Sequence, residues 1–176
     1  MLDLRRRSFD HPDAKALIAQ LQEVYRERYG GADETPVDPA QFAHPHGYFV
    51  VGYVGAEAVA CGGWRARDGG DPALRPGDAE VKRMYVVPAH RGRGHARAVL
   101  AHLEASAAGA GRRRIVLETG TRQPEAIALY LSAGYGPMEP FGTYRCAPGS
   151  RCYTKPLPVG PGHPRASVGG IAAHSE

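Results

Sequence analysis

The stretch Glu80–Leu103, EVKRMYVVPAHRGRGHARAVLAHL, predicts a strand, a tight glycine turn and a helix in immediate succession. Glu80–Val87 is the strand, and a proline ends it. The turn Arg91–Ala96 leads straight into the helix, whose first N–H groups have no partner within the helix. Those groups and the helix dipole together favour an anion at this point. Gly92 and Gly94 let such an anion approach the backbone without a Cβ in the way.

Two other phosphate-binding motifs do not fit this turn. The P-loop pattern GxxxxGK followed by Ser or Thr is absent. The dinucleotide pattern GxGxxG is absent as well, because Arg97 stands where the third glycine would be. No acidic residue follows about 20 positions later at the end of a second strand, as a dinucleotide fold requires. A small molecule with a pyrophosphate remains the simplest ligand for the turn.

The turn and a segment downstream together carry a family resemblance. Arg91–Ala96 (RGRGHA) matches the pattern Q/R-x-x-G-x-G/A, and Ala126–Tyr135 (AIALYLSAGY) matches A-x-x-L-Y-x-x-x-G-F/Y. These patterns, in this order and at this distance, are typical of the GNAT superfamily of N-acetyltransferases, which the chain resembles over residues 2–157. His95 departs from the family, which usually has an aliphatic residue at that place.

The resemblance implies that the protein is an acyltransferase with acetyl-CoA as its donor cosubstrate and no metal. It also implies that the end of the strand offers backbone groups to the pantetheine arm and the thioester, and that a bulge there splays the strand from its neighbour. Gln123 falls where the family often has an asparagine that contacts the cofactor, although a helix-cap role fits equally well. The expected cofactor-binding residues are Met84, Tyr85, Val86, Arg91, Gly92, Arg93, Gly94, His95, Ala96, Arg97 and Gln123.

Transfer from a thioester to an amine needs a proton acceptor and a proton donor. A lysine-like amine has a pKa of about 10.4, so at neutral pH it must lose a proton before it attacks. Tyr130 is the candidate acid, because the family's tyrosine at this place lies near the coenzyme sulfur and a phenol stays protonated. The alternative is that Tyr130 only packs against the cofactor.

Two glutamates are candidates for the base. Strand alternation puts Glu80, Lys82, Met84 and Val86 on one face, so Glu80 is expected on the same face as the thioester. Glu118 is the second candidate, since it ends the neighbouring strand and could instead bind the ammonium group. Cys61 is not expected to be a covalent nucleophile, and we predict a sequential mechanism with both substrates bound.

The rest of the chain predicts an α/β protein of the α+β type, with a mixed central sheet and helices on both faces. We expect an acetyltransferase domain over residues 1–157 and a disordered tail over 158–176, which is rich in Pro, Gly and Ala. The predicted strands are Leu2–Phe9, Tyr48–Val54, Ala58–Ala66, Glu80–Val87, Arg114–Glu118, Tyr135–Met138 and Cys152–Leu157. The predicted helices are Asp13–Tyr29, Arg93–Ala108 and Pro124–Ala133, with a short one around Pro39–Ala43.

Composition and charge limit the kinds of ligand that the protein is expected to bind. The net charge is +4, and much of the basic charge flanks the glycine turn, which favours a phosphorylated small molecule over nucleic acid. The three cysteines form no CxxC pair, so neither a metal site nor a disulfide framework is expected. The sequence has neither an apolar run of membrane-spanning length nor the pattern of a secretory signal, which predicts a cytoplasmic protein, with a homodimer as one option for its assembly.

The acceptor is the least determined part of the prediction. We expect a primary amine of a small molecule, such as an amino acid, a polyamine or an amine-bearing antibiotic. The alternatives are a protein lysine or N-terminal amine as acceptor, or a regulatory module that binds acyl-CoA without catalysis.

Overall fold

A seven-stranded mixed sheet organises the computed structural model, which describes residues 1–158. The spatial order of the strands is β1-β2-β3-β4-β5-β7-β6. All neighbouring strands are antiparallel except β4 and β5, which are parallel. The strands are β1 (Asp3–Arg6), β2 (Gly47–Val54), β3 (Glu57–Arg67), β4 (Asp78–Val86), β5 (Arg114–Gly120), β6 (Gly136–Pro137) and β7 (Ser150–Pro156). The helices are α1 (Pro12–Tyr29), α2 (His95–Gly109) and α3 (Pro124–Ser132), and 3-10 turns cover Pro39–Phe42 and Pro88–His90.

The helices α1 and α2 cover opposite faces of the sheet, as the sequence predicted. Met84 of β4 points toward α2, where its Cγ lies in the same small space beside Gly62 as Val99 and Leu103. The next residue, Tyr85, points the other way, and its hydroxyl contacts Gln20 of α1 at 3.3 Å. The mixed sheet and the helices on both faces confirm the predicted fold class.

Local sequence explains where α1 begins and ends. Pro12 occupies the first turn, where its missing N–H costs nothing, and the His11 ring accepts a hydrogen bond from Asp13 N at 3.2 Å. Gly30 ends the helix in the left-handed conformation at φ 80°, and its N–H donates to the Arg26 carbonyl. The loop that follows this end carries Asp33, which contacts Lys82 and Arg83 of β4.

The strands β4 and β5 pair over only three residues and then separate. The paired segment joins Asp78–Glu80 to Arg114–Val116, and no later residue of β4 pairs with β5. Two residues of β4, Arg83 and Met84, stand opposite the single residue Gly62 of β3. This is a β-bulge, and Arg83 adopts a left-handed φ of 59° there.

The bulge corrects one expectation from strand alternation. Glu80, Lys82, Met84 and Val86 were predicted to share one face, but the extra residue switches the face between Lys82 and Met84. Lys82 Nζ lies 3.7 Å from Asp33, in the loop after α1, whereas Met84 faces α2. Glu80 therefore does not lie on the face of the strand that carries Val86.

Several element ends differ from the predictions by a few residues. The helix α2 begins at His95 rather than Arg93, because Gly94 has a left-handed φ of 80° that no helix can contain. The strand β5 runs to Gly120 and β7 begins at Ser150, since the two pair over their whole lengths. The predicted tail, 158–176, lies outside the described residues apart from its first residue.

Candidate active site

The glycine turn presents a group of unpaired backbone donors. Within residues 1–158, no protein acceptor is within hydrogen-bond range of the amide N–H groups of residues 92–97. Gly92 and Gly94 have left-handed φ values of 73° and 80°, as is typical of glycine turns that bind anions through backbone N–H groups. This arrangement fits a diphosphate, because the free N–H groups and the positive end of the helix dipole converge there.

The arginines of the turn differ in what they contact. Arg91 donates to the Val86 carbonyl at 3.0 Å and lies over the Tyr85 ring. Arg97 donates to the Ser132 hydroxyl at 2.6 Å, which ties α2 to the end of α3. Arg93 is exposed at the turn. Arg91 and Arg97 therefore fix the surroundings of the turn, and Arg93 remains free to meet a phosphate.

His95 occupies the family's usual aliphatic position and is packed as an apolar residue would be. Its ring stacks on His90 with 6.0 Å between centroids, and its Nε2 is buried and has no hydrogen-bond partner within residues 1–158. Burial lowers the pKa of His95, and the charges of His90 and Arg93 lower it further. These surroundings disfavour the charged form of the ring.

A cavity of about 570 Å³ fills the gap between β4 and β5. Its walls come from both strands, from the loop after α1, from the start of α3 and from the loop before β7. Among the predicted cofactor residues, Met84 and Gln123 line the cavity. Tyr85 does not line it, and its side chain points toward α1. The Gln123 side chain does not cap α3 but contacts the Tyr29 hydroxyl at 3.4 Å.

Tyr130 lies in α3 with its ring buried and its side chain lining the cavity. The ring packs between Tyr135 and Tyr153, at centroid distances of 5.8 and 6.5 Å. Burial raises the pKa of Tyr130 to about 12, so the phenol stays protonated at physiological pH. A protonated hydroxyl at the wall of the cavity can donate a proton or a hydrogen bond.

Glu118 also lines the cavity, from the part of β5 that has separated from β4. Its Oε1 accepts a hydrogen bond from the Ser150 hydroxyl at 3.1 Å. Burial raises the pKa of the Glu118 carboxyl, although Lys82 and the Ser150 hydrogen bond oppose that shift. A carboxylate with a raised pKa is a stronger base than one in water.

Glu80 has very different surroundings from Glu118. Its Oε2 accepts hydrogen bonds from Arg65 and Arg67, both at 2.8 Å, and it does not line the cavity. Burial alone would raise the pKa of Glu80, but Lys82 and the two arginines lower it below its usual value. The position of Glu80 is thus that of a buried ion-pair partner. As a base it would have to leave both arginines.

Two cationic residues that line the cavity, Lys82 and Arg83, were not predicted as site residues. Lys82 and Arg83 line it from the bulge of β4, and both contact Asp33 in the loop after α1. Burial would raise the pKa of Asp33, but Lys82 and Arg83 lower it to about 2. Sequence offers two signals for this group, the adjacent Lys-Arg pair in a strand and the acidic loop after the first helix that contains Asp33, but neither signal shows that the two meet.

Cys61 is buried in β3, and its pKa is raised to about 12 by burial. A thiol with such a pKa is a poor nucleophile at neutral pH.

Within residues 1–158, no group of three or more His, Cys, Asp or Glu side chains is arranged to hold a metal ion. No helix in that range is long and apolar enough to cross a bilayer.

Comparison with known proteins gives a consistent assignment. Residues 18–135 match the family model described as the acetyltransferase (GNAT) family. An IAA acetyltransferase from Azospirillum brasilense is 34% identical over 141 residues, covering 80% of this chain and 88% of the relative. A Klebsiella pneumoniae structure described as an acyl-CoA N-acyltransferase has a TM-score of 0.72 at 30% identity, covering 89% of this chain and 98% of its own. An acetyltransferase from Thermus thermophilus shares the fold at a TM-score of 0.65 and 21% identity, covering 89% and 97%.

Proposed function

The chain belongs to the acetyltransferase (GNAT) family and is an acetyl-CoA-dependent acyltransferase, and from this premise we propose that it acetylates a primary amine of a small molecule directly, in a ternary complex. The observation that carries the proposal is the cavity between β4 and β5, where Glu118 and Tyr130 both line the walls. The two side chains supply the proton acceptor and the proton donor that the reaction needs.

Backbone groups of this chain hold acetyl-CoA, the acetyl donor. The amides of residues 92–97 bind the diphosphate, and the left-handed glycines keep those amides pointing the same way. The separated part of β4 then supplies backbone groups to the pantetheine arm, and Met84 forms part of the wall beside it. This binding fixes the thioester at the cavity rather than in solvent.

Glu118 is the residue that we propose as the base. It removes a proton from the acceptor ammonium, so that the nitrogen lone pair can form the new N–C bond to the acetyl carbon. The raised pKa of Glu118 suits this task, because it brings the carboxylate closer to the pKa of the group from which it takes the proton. Glu80 is less suited, since two arginines hold its carboxylate and lower its pKa.

Tyr130 is the proposed acid. As the C–S bond breaks, the phenol donates its proton, or a hydrogen bond, to the departing thiolate. Its raised pKa of about 12 keeps that proton available over the whole physiological range. The direct route needs no acyl-enzyme, in keeping with the buried and protonated thiol of Cys61.

The cavity favours a small acceptor over a protein chain. The Tyr144 hydroxyl accepts a hydrogen bond from the Glu34 amide at 2.7 Å, joining the loop before β7 to the loop after α1. Both residues line the cavity, so this hydrogen bond joins two of the loops that form its wall. A flexible protein segment would have to part these loops, whereas a molecule of a few carbon atoms would not.

Thiol release from acetyl-CoA, measured over a panel of small amines and lysine peptides, tests the proposal. We expect at least one small amine to release thiol in equal amount to an acetylated product identified by mass. Initial rates with both substrates varied should give intersecting reciprocal plots, as a ternary complex requires. Parallel plots would contradict direct transfer, and turnover with peptides alone would contradict the small acceptor.

A further inference from the structure

We propose that the acceptor amine carries a carboxylate, and that Lys82 and Arg83 bind this carboxylate while Glu118 faces the amine. The inference rests on the proposed function and narrows its substrate class. It separates amino acids, which have both an amine and a carboxylate, from polyamines, which have no carboxylate. Four observations on the charges around the bulge of β4 carry it.

The first observation is an excess of buried positive charge. Arg65 and Arg67 pair with Glu80, and Lys82 and Arg83 share Asp33, with Lys82 also 3.8 Å from Glu80. In the part of the chain that the structure describes, this ion-pair network thus holds four cations, of which Arg67 is 24% exposed, and two carboxylates, and Glu118 is a third carboxylate near Lys82. Side chains buried to this degree normally have their charge compensated.

The second observation concerns Arg83 itself. Its side chain is only 3% exposed, and Asp33 is the sole acceptor in residues 1–158 to which it donates. Its Nε is buried and has no hydrogen-bond partner among the described residues. A guanidinium presents five N–H donors in a planar fork that matches a carboxylate, so Arg83 has unused capacity for such a ligand.

The third observation is the backbone at the bulge. Arg83 has a φ of 59°, a left-handed conformation that is costly for a residue with a long side chain. The bulge directs two neighbouring cations, Lys82 and Arg83, to the same loop and the same cavity. In an unbulged strand adjacent side chains point to opposite faces, so the strained conformation is what brings the two charges together.

The fourth observation is the placement of the carboxylate base. Glu118 projects into the cavity from β5, while Lys82 and Arg83 enter it from β4 on the other side of the gap. The cavity therefore offers negative charge on β5 and, on β4, two cations that share the single carboxylate of Asp33, which also lines the cavity. A zwitterionic acceptor complements both walls, whereas a polyamine would place a cation against Lys82 and Arg83.

The test compares amines in matched pairs, each an amino acid and the same amine without its carboxylate. We expect kcat/KM for acetylation to be at least about tenfold higher for the amino acid, which is the usual effect of a charge-assisted hydrogen bond. Calorimetric binding of the same pairs to the enzyme with coenzyme A should show the same preference without turnover.

Variants at Arg83 assign the preference to this side chain. Arg83→Gln should raise KM for the amino acid by at least about tenfold and leave KM for the carboxylate-free amine within about twofold. Arg83→Lys has the same Cβ in the strained conformation but keeps the charge, so it should retain much of the preference. Arg122→Gln is the matched control, because Arg122 also lines the cavity but is exposed, and its variant should keep the parent's preference.

Three outcomes are distinguishable. Equal kcat/KM within the pairs, with thiol released, would overturn the carboxylate site and leave the proposed acetylation of small amines intact. A preference that Arg83→Gln and Arg122→Gln reduce equally would overturn the assignment to Arg83. Thiol release from no amine, with no binding in calorimetry, would overturn both this inference and the proposed function. Thermal melting of each variant shows whether it is folded.

Discussion

Glu118 and Glu80 have the same side chain and opposite surroundings. Glu118 lines the cavity with one hydroxyl donor, and burial raises its pKa. Glu80 is held by two arginines, and its pKa is lowered. Only the first combination suits a proton acceptor, because a carboxylate already paired with two cations has little affinity for a further proton.

Replacing each glutamate by glutamine separates their roles. Glu118 acts in its deprotonated form, so kcat of the parent should rise as pH increases through its raised pKa. Glu118→Gln should lower kcat by about 10²-fold or more and remove that rise. Glu80→Gln should keep the rise, but it should lower stability by about 3 kcal/mol because Arg65 and Arg67 lose a buried partner.

The measurements are pH–rate profiles at saturating acceptor and chemical denaturation of each variant. An intact pH profile in Glu118→Gln, or a flattened one in Glu80→Gln, would reverse the assignment of the base.

Sequence reasoning identified residues that belong to local motifs and missed those that meet through the fold. The turn at Arg91–Ala96 and the helix with Tyr130 could be found because each motif is a continuous segment. Asp33 could not be connected to Lys82 and Arg83, since about fifty residues separate them and only the loop after α1 brings them together. The choice between Glu80 and Glu118 likewise depends on long-range partners, and both stayed candidates.

At the scale of elements, the glycine turn can be tested against a matched turn elsewhere. Gly94 has a φ of 80° before α2, and Gly55 has a φ of 62° in the turn between β2 and β3. A Cβ on either meets no atom within 4 Å, so alanine at both sites costs about 1–2 kcal/mol of backbone strain alone. Relief of that strain at Gly94 would rotate the amides of the turn.

Gly94→Ala should therefore weaken coenzyme A binding by at least about tenfold, the equivalent of one charge-assisted hydrogen bond. Gly55→Ala should lose similar stability and keep the parent affinity. Calorimetric titration with coenzyme A measures the first effect, and thermal melting measures the second. Equal affinity in both variants would mean that the turn does not hold the diphosphate.

The elements themselves were predictable where a pattern is local. Strands β2 and β3 and helices α1 and α2 follow from apolar periodicity and from Gly and Pro at their ends. The bulge in β4 was expected only from family resemblance, because nothing in the sequence marks Arg83 for a left-handed φ. The face switch that follows from it was missed, since strand alternation assumes an unbroken strand.

At the scale of the whole molecule, the fold brings functional residues from distant segments together around the gap between β4 and β5. The cavity collects β4, β5, α3 and two loops, and the strand order brings β4 beside β5 although α2 lies between them in sequence. The short parallel pairing of these strands holds the gap closed at one end, and the bulge opens it at the other. This arrangement explains why the diphosphate turn and the proton-transfer residues can serve one extended ligand.

A crystal structure with coenzyme A bound tests the central claim most directly, which is that acetyl transfer occurs in the gap between β4 and β5. We predict that the diphosphate contacts the amides of residues 92–97 and that the coenzyme sulfur lies in the gap, within about 4 Å of the Tyr130 hydroxyl. A sulfur located outside the gap, or a diphosphate bound away from that turn, would contradict the account.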